Sequence, residues 1–211
     1  MKRVILAGVL GALAMYVWTA LAHIVLPLGE AGVKEIPNEP AVLAAMRASL
    51  GESPGLYLFP GMGLGPDATP QQKQAARDQY SQKLAANPSG ILVYRPAGAQ
   101  ALAPGMFLTE FLAELIACLL AVTLLAQTRL TTYASRLAFM AGAGALAAIW
   151  TNTSYWNWYG FPSAYTAAYI LTQFVGFLCA GLVAAAIVKP SDAFGPTALA
   201  QTARGQIPRA G

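Results

Sequence analysis

Hydrophobic residues in this chain fall into four long runs separated by polar segments. The runs cover residues 4–27, 106–127, 133–156 and 162–188. Each approaches the roughly 20 residues needed to cross a bilayer core. Backbone groups in hydrocarbon must satisfy one another, so each run predicts a transmembrane helix. The segment 28–105, between the first two runs, is too long for a simple connection. It reads as two similar halves. Asn38-Glu39-Pro40 opens the helix-like AVLAAMRASL, a Gly/Pro turn follows, and LYLFP reads as a strand. Thr69-Pro70 opens QQKQAARDQYSQKLAA, Asn87-Pro88-Ser89-Gly90 follows, and ILVYRP reads as a second strand. The expected fold is an all-α membrane protein: a four-transmembrane-helix bundle with a small α+β extracytoplasmic cap between helices 1 and 2, and a polar cytoplasmic tail over 189–211.

Charge placement orients the spans. Lys2, Arg3, Arg129, Arg136, Lys189, Arg204 and Arg209 fall on one side of a four-span arrangement, seven of the 13 Lys and Arg. The 28–105 segment holds six basic and six acidic residues. The positive-inside rule therefore puts both termini in the cytoplasm and the long segment outside. A cleavable signal peptide competes for the first run, because Ala20-Leu21-Ala22 fits a cleavage pattern. Cleavage there would leave three spans and an external N-terminus. A retained anchor is favoured, since the apolar run continues past Ala22 to Leu28.

Composition agrees with this class: 56% of the 211 residues are hydrophobic and 10% are charged, against about a quarter charged in soluble domains. No basic cluster interleaved with aromatics suggests nucleic acid as a partner. Cys118 and Cys179 both lie in apolar runs and read as small buried hydrophobes. Small residues recur one turn apart, at Gly8/Ala12, Ala141/Ala145, Gly144/Ala148 and Gly176/Ala180. Such spacing lets helices approach closely, within the chain or against lateral partners.

The chemistry is concentrated in a few polar positions. Glu110 and Glu114 lie one turn apart on the second span, about 6 and 12 Å below its outer end at 1.5 Å per residue. His23 sits near the outer end of the first span. Asn152 and Asn157 sit near the outer end of the third. These five residues form the candidate ligand-binding layer, since ionisable groups in a membrane mark functional sites by default. Three readings stay open. The carboxylates can tie the spans together by hydrogen bonds, the preferred reading. His23, Glu110 and Glu114 can ligate a divalent metal. Or the layer can relay protons or hold a polar headgroup. Trp156, Trp158 and Tyr159 crowd the span boundary and read as interfacial aromatics; a pocket for a lipid, quinone or pigment is the sharper alternative. Gln173, mid-way along the fourth span, reads as an interhelical hydrogen-bonding group. No cofactor signature is present, and a single histidine excludes a bis-histidine haem.

The segments HIVLP, IPNEPAV, GLYLFP and WNWYGF together resemble a family of bacterial four-span inner-membrane proteins with a large first outer loop and no assigned activity. The resemblance implies a bacterial inner membrane and carries over no catalytic residues. The function expected is that of a non-enzymatic accessory or assembly subunit of a larger membrane complex, partnered by lipid and by other membrane subunits or copies of itself. The alternatives are a binding or transport protein for a metal, proton or small ligand, and a membrane enzyme using Glu110, Glu114 and His23.

Overall fold

The structure, a computed structural model, describes residues 1–100 and 102–189. The elements run α1 (Lys2–Ile24), α2 (Glu39–Leu50), β1 (Gly55–Phe59), α3 (Pro70–Ala86), β2 (Gly90–Tyr94), α4 (Pro104–Ala126), α5 (Tyr133–Tyr159) and α6 (Ser163–Ile187). Four of them, α1, α4, α5 and α6, are long and apolar enough to cross a membrane. Beyond Lys189, the expected polar tail lies outside the described residues.

The chain divides into two compact units. Among the described residues, the first comprises Met1–Val33, Leu102–Trp156 and residues 161–189; the second comprises residues 34–100 with Asn157–Gly160. In the first unit the closest packing joins α1 to α6 and α1 to α4. Small residues make this possible. On α6, Ala168, Thr172, Gly176, Ala180 and Ala184 are buried at intervals of one turn. On α1, Ala7, Gly8, Gly11, Ala12 and Met15 form the matching stripe. The three helices meet at Gly11, where a Cβ would stand 2.7 Å from Cys118 Sγ and 3.4 Å from the Ala180 carbonyl oxygen. Close van der Waals contact of this kind holds apolar helices together.

Helix α5 is placed differently. It rests on α6 through side-chain seats and hydrogen bonds. Gly144 seats the Phe177 ring, and Gly181 of α6 seats Met140 and Leu137. At the basic end, the Tyr133 hydroxyl donates to the Leu182 carbonyl at 3.2 Å, and Arg136 donates to the Val188 carbonyl. Only 17% of the apolar stretch of α5 is buried, against 28–33% for the other three.

After α1 the chain turns at Pro27, which cannot continue the helix. Gly32 takes φ +77°, and a Cβ there would meet the Tyr165 backbone at 2.9 Å. This turn is thereby held against the start of α6.

The second unit contains the two helix-strand halves. β1 and β2 pair antiparallel, with Gly55 opposite Tyr94 and Phe59 opposite Gly90. α3 begins with a capping box: Gln72 N–H donates to Thr69 Oγ1, and Thr69 N–H donates to Gln72 Oε1. Tyr94 is the buried anchor, its hydroxyl donating to the Gly51 carbonyl at 2.9 Å. The opposite sheet face, bearing Leu56, Leu58 and Val93, is exposed.

Candidate functional site

One cavity of about 310 Å³ lies within the first unit, among α1, α4, α5 and α6. Every helix contributes a pair of residues one turn apart: Thr19 and His23, Glu110 and Glu114, Ala147 and Thr151, Tyr169 and Gln173. The spacing of four places both members of each pair on one helix face. Met15, Ala113, Ala117, Thr172, Gly176 and Phe177 complete the wall. Four polar positions named from the sequence, His23, Glu110, Glu114 and Gln173, therefore line a single cavity.

Glu114 is its most constrained member. The residue is 8% exposed. Its Oε1 accepts a hydrogen bond from Thr19 Oγ1 at 2.5 Å, linking α4 to α1. Its Oε2 is buried and has no partner among the described residues. A bare buried carboxyl oxygen is costly. Glu110, one turn nearer the helix start, is exposed. His23 packs edge-on to Tyr169, ring centroids 5.9 Å apart. The Gly29 backbone lies so close to His23 that a Cβ would collide with Nδ1. The imidazole is thus fixed between a glycine turn and an aromatic ring. His23, Glu110 and Glu114 share the cavity, but among the described residues no three His, Cys, Asp or Glu side chains form a group that could hold a metal ion.

Behind the cavity wall a polar layer ties the helices. Asn152 is buried; its Nδ2 donates to Gln173 Oε1 at 2.9 Å and to the Ala148 carbonyl at 2.8 Å. Gln173, which does line the cavity, thereby joins α6 to α5. The Trp18 indole N–H donates to the Thr172 carbonyl at 2.9 Å, where Gly176 lets α1 approach α6: a Cβ there would stand 3.2 Å from Met15 Cγ.

No family model matches this chain, and no curated protein and no solved structure is similar to it either. The resemblance drawn from WNWYGF and its companion segments gains no support from these comparisons, so function is argued from the site alone.

Of the remaining residues named from the sequence, Asn157 is exposed on the last turn of α5 and is not part of the cavity lining. Trp156, Trp158 and Tyr159 are likewise exposed outside the lining, with Trp156 Nε1 donating to Ser163 Oγ at 3.1 Å. Sequence reasoning missed Thr19, Thr151, Tyr169 and Thr172. A signal was available: each of these polar groups interrupts an apolar span, and Thr19 and Tyr169 stand one turn from His23 and Gln173.

The aromatic residues from Tyr155 to Tyr169 connect to the site in one respect. Tyr155, Phe161, Tyr165 and Tyr169 follow one another with ring centroids 5.4, 5.2 and 4.3 Å apart. Tyr169, the last of the series, is part of the cavity wall. The run thus forms a continuous aromatic ridge from the end of α5 to the site.

Proposed function

We propose that this is a multi-pass membrane protein that binds a small ligand in the cavity among α1, α4, α5 and α6, without performing chemistry on it. The polar face of the cavity carries the reading. It brings His23, Glu110, Glu114 and Gln173 to one chamber of a size small-molecule sites commonly have. The Glu114 carboxyl group, buried with Oε2 unpartnered among the described residues, is costly to keep there unless it serves an occupant. The lining holds hydrogen-bonding groups, and its hydroxyl–carboxyl pair, Thr19 with Glu114, joins α1 to α4. The Thr19 hydroxyl is engaged with Glu114, and the His23 ring meets Tyr169 and Gly29. That is a better match to binding or transport than to catalysis.

The basic residues at Lys2, Arg3, Arg129, Arg136 and Lys189 support cytoplasmic termini and an external 28–105 segment. The cavity would then lie in the outer half of the bilayer, since its residues come from the C-terminal halves of α1 and α5 and the N-terminal half of α4.

Native mass spectrometry of the full-length protein, purified in mild detergent, tests the reading. The wild type should retain a small-molecule adduct that Ala147→Phe, which fills the cavity, loses. Equal adducts on both proteins, or none on either, would overturn it. The accessory-subunit reading has one observation in its favour: Leu146, Ile149 and Trp150 leave a large apolar face on α5. A stoichiometric second protein in both preparations would support that reading instead.

A further inference from the structure

Resting on the cavity as a ligand site, we propose that its ligand is a small organic cation: an ammonium group on a short apolar body, with the positive charge held beside the Glu110 and Glu114 carboxyl groups.

Three features of the wall point to this class. The first is charge. The lining contains two carboxylates, Glu110 and Glu114, and neither lysine nor arginine. An anion would enter with no permanent positive charge to meet it. The second is burial. Glu114 lines the cavity yet is more than nine-tenths buried, Thr19 satisfies Oε1, and Oε2 has no partner among the described residues. A buried carboxyl group is made neutral either by its own proton or by an opposite charge held against it. An ammonium in the cavity provides that charge. The third is the remainder of the wall, where Met15, Ala117, Ala147 and Phe177 offer apolar contact. The Tyr169 and Phe177 rings also offer the electron-rich faces that attract organic cations. A bare metal ion fits less well, because His23 and the two glutamates do not converge on a common point.

The route in is visible as well. Glu110 on α4 and Thr151 on α5 both line the cavity and are both exposed, which puts its mouth beside them. A cation with an apolar body is suited to that path, where its body meets hydrocarbon and its charge meets Glu110 before Glu114.

Thiol modification separates this proposal from the reading it rests on. Cys118→Ala and Cys179→Ala remove the native thiols of the full-length protein, and Ala147→Cys places one in the cavity wall. Ser53→Cys, exposed on the turn before β1, serves as the external control. Each thiol is treated in membranes with a trimethylammonium-ethyl, a sulfonatoethyl and a neutral benzyl methanethiosulfonate. The reagents attack the same thiolate, so rate ratios cancel its intrinsic reactivity. The cationic reagent should modify the cavity thiol about tenfold or more faster than the anionic one, relative to the Ser53→Cys control, as expected of a cleft lined by one sign of charge. Glu114→Gln, similar in shape and uncharged, should collapse most of that preference. If all three reagents reach the cavity thiol with no charge preference, or the preference survives Glu114→Gln, the cation proposal fails and the cavity stands. If none modifies the cavity thiol while all modify the control, the ligand cavity itself fails.

Discussion

The hydrogen bond from Thr19 to Glu114 joins two spans through the same carboxyl group that is left half bare, and a double-mutant cycle can tell whether that group serves packing or binding. In Thr19→Val the branched shape of the side chain is kept and the donor is lost. Oε1 then joins Oε2 as an unpartnered buried oxygen. Leaving a buried acceptor unsatisfied costs about 1–3 kcal/mol. Interhelical hydrogen bonds within membranes run lower, averaging about 0.6 and reaching about 1.7 kcal/mol. Two bare oxygens on one group argue for the upper part of that range, about 1–2 kcal/mol. In Glu114→Leu the same bond is lost, but both oxygens leave with it, and the Thr19 hydroxyl can turn to a carbonyl of its own helix. The net change should stay within about 1 kcal/mol of wild type. Adding Thr19→Val to Glu114→Leu then orphans nothing, so the coupling between the two sites should be about 1–2 kcal/mol. Reversible unfolding in mixed micelles, with the SDS fraction raised stepwise and followed by the fluorescence of the four tryptophans, measures each corner of the cycle. If Thr19→Val costs as much in the Glu114→Leu background as in the wild type, the bond is not what links the two residues. If Glu114→Leu alone proves strongly destabilising, by about 3 kcal/mol or more, the carboxyl group is a structural tie and the binding argument loses its foundation.

Two further expectations concern packing and orientation. Gly181→Ala puts a Cβ 2.8 Å from Met140 Cβ and should cost about 1–3 kcal/mol in the same assay; Gly142→Ala meets nothing within 4 Å and should be neutral or stabilising by up to about 1 kcal/mol. Cysteine introduced at Ser53 should react with an impermeant maleimide on intact cells; reaction only after lysis would reverse the orientation proposed from the basic residues.

Much of the architecture could be read from periodicity. The four apolar runs correspond to α1, α4, α5 and α6, and the helix-strand pattern appears as α2-β1 and α3-β2. The boundaries moved where local chemistry intervened. α1 stops at Ile24 although the apolar run continues, because Pro27 and the glycines behind it form a turn. α5 continues through Trp156–Tyr159, since nothing breaks the helix before Gly160. What periodicity does not convey is which helices touch. Small residues at one-turn spacing occur on α1, α5 and α6 alike, yet α1 and α6 pack closest while α5 rests on α6. The acidic pair was conspicuous because charge is rare in a membrane span. The hydroxyls of Thr19 and Thr172 were not, because threonine is common enough in apolar helices to pass for filler. Only the three-dimensional arrangement shows that they share a cavity with Glu114.

The asymmetric placement of α5 has a mechanical consequence. The tight spine of the molecule, α1 with α4 and α6, crosses at Gly11, and α5 adds Ala147 and Thr151 to the cavity wall. Met140 and Asn152 seat α5 on the core and on Gln173. Substitutions at Ala147 and Thr151 can accordingly retune what the chamber admits without touching the contacts that hold the bundle together.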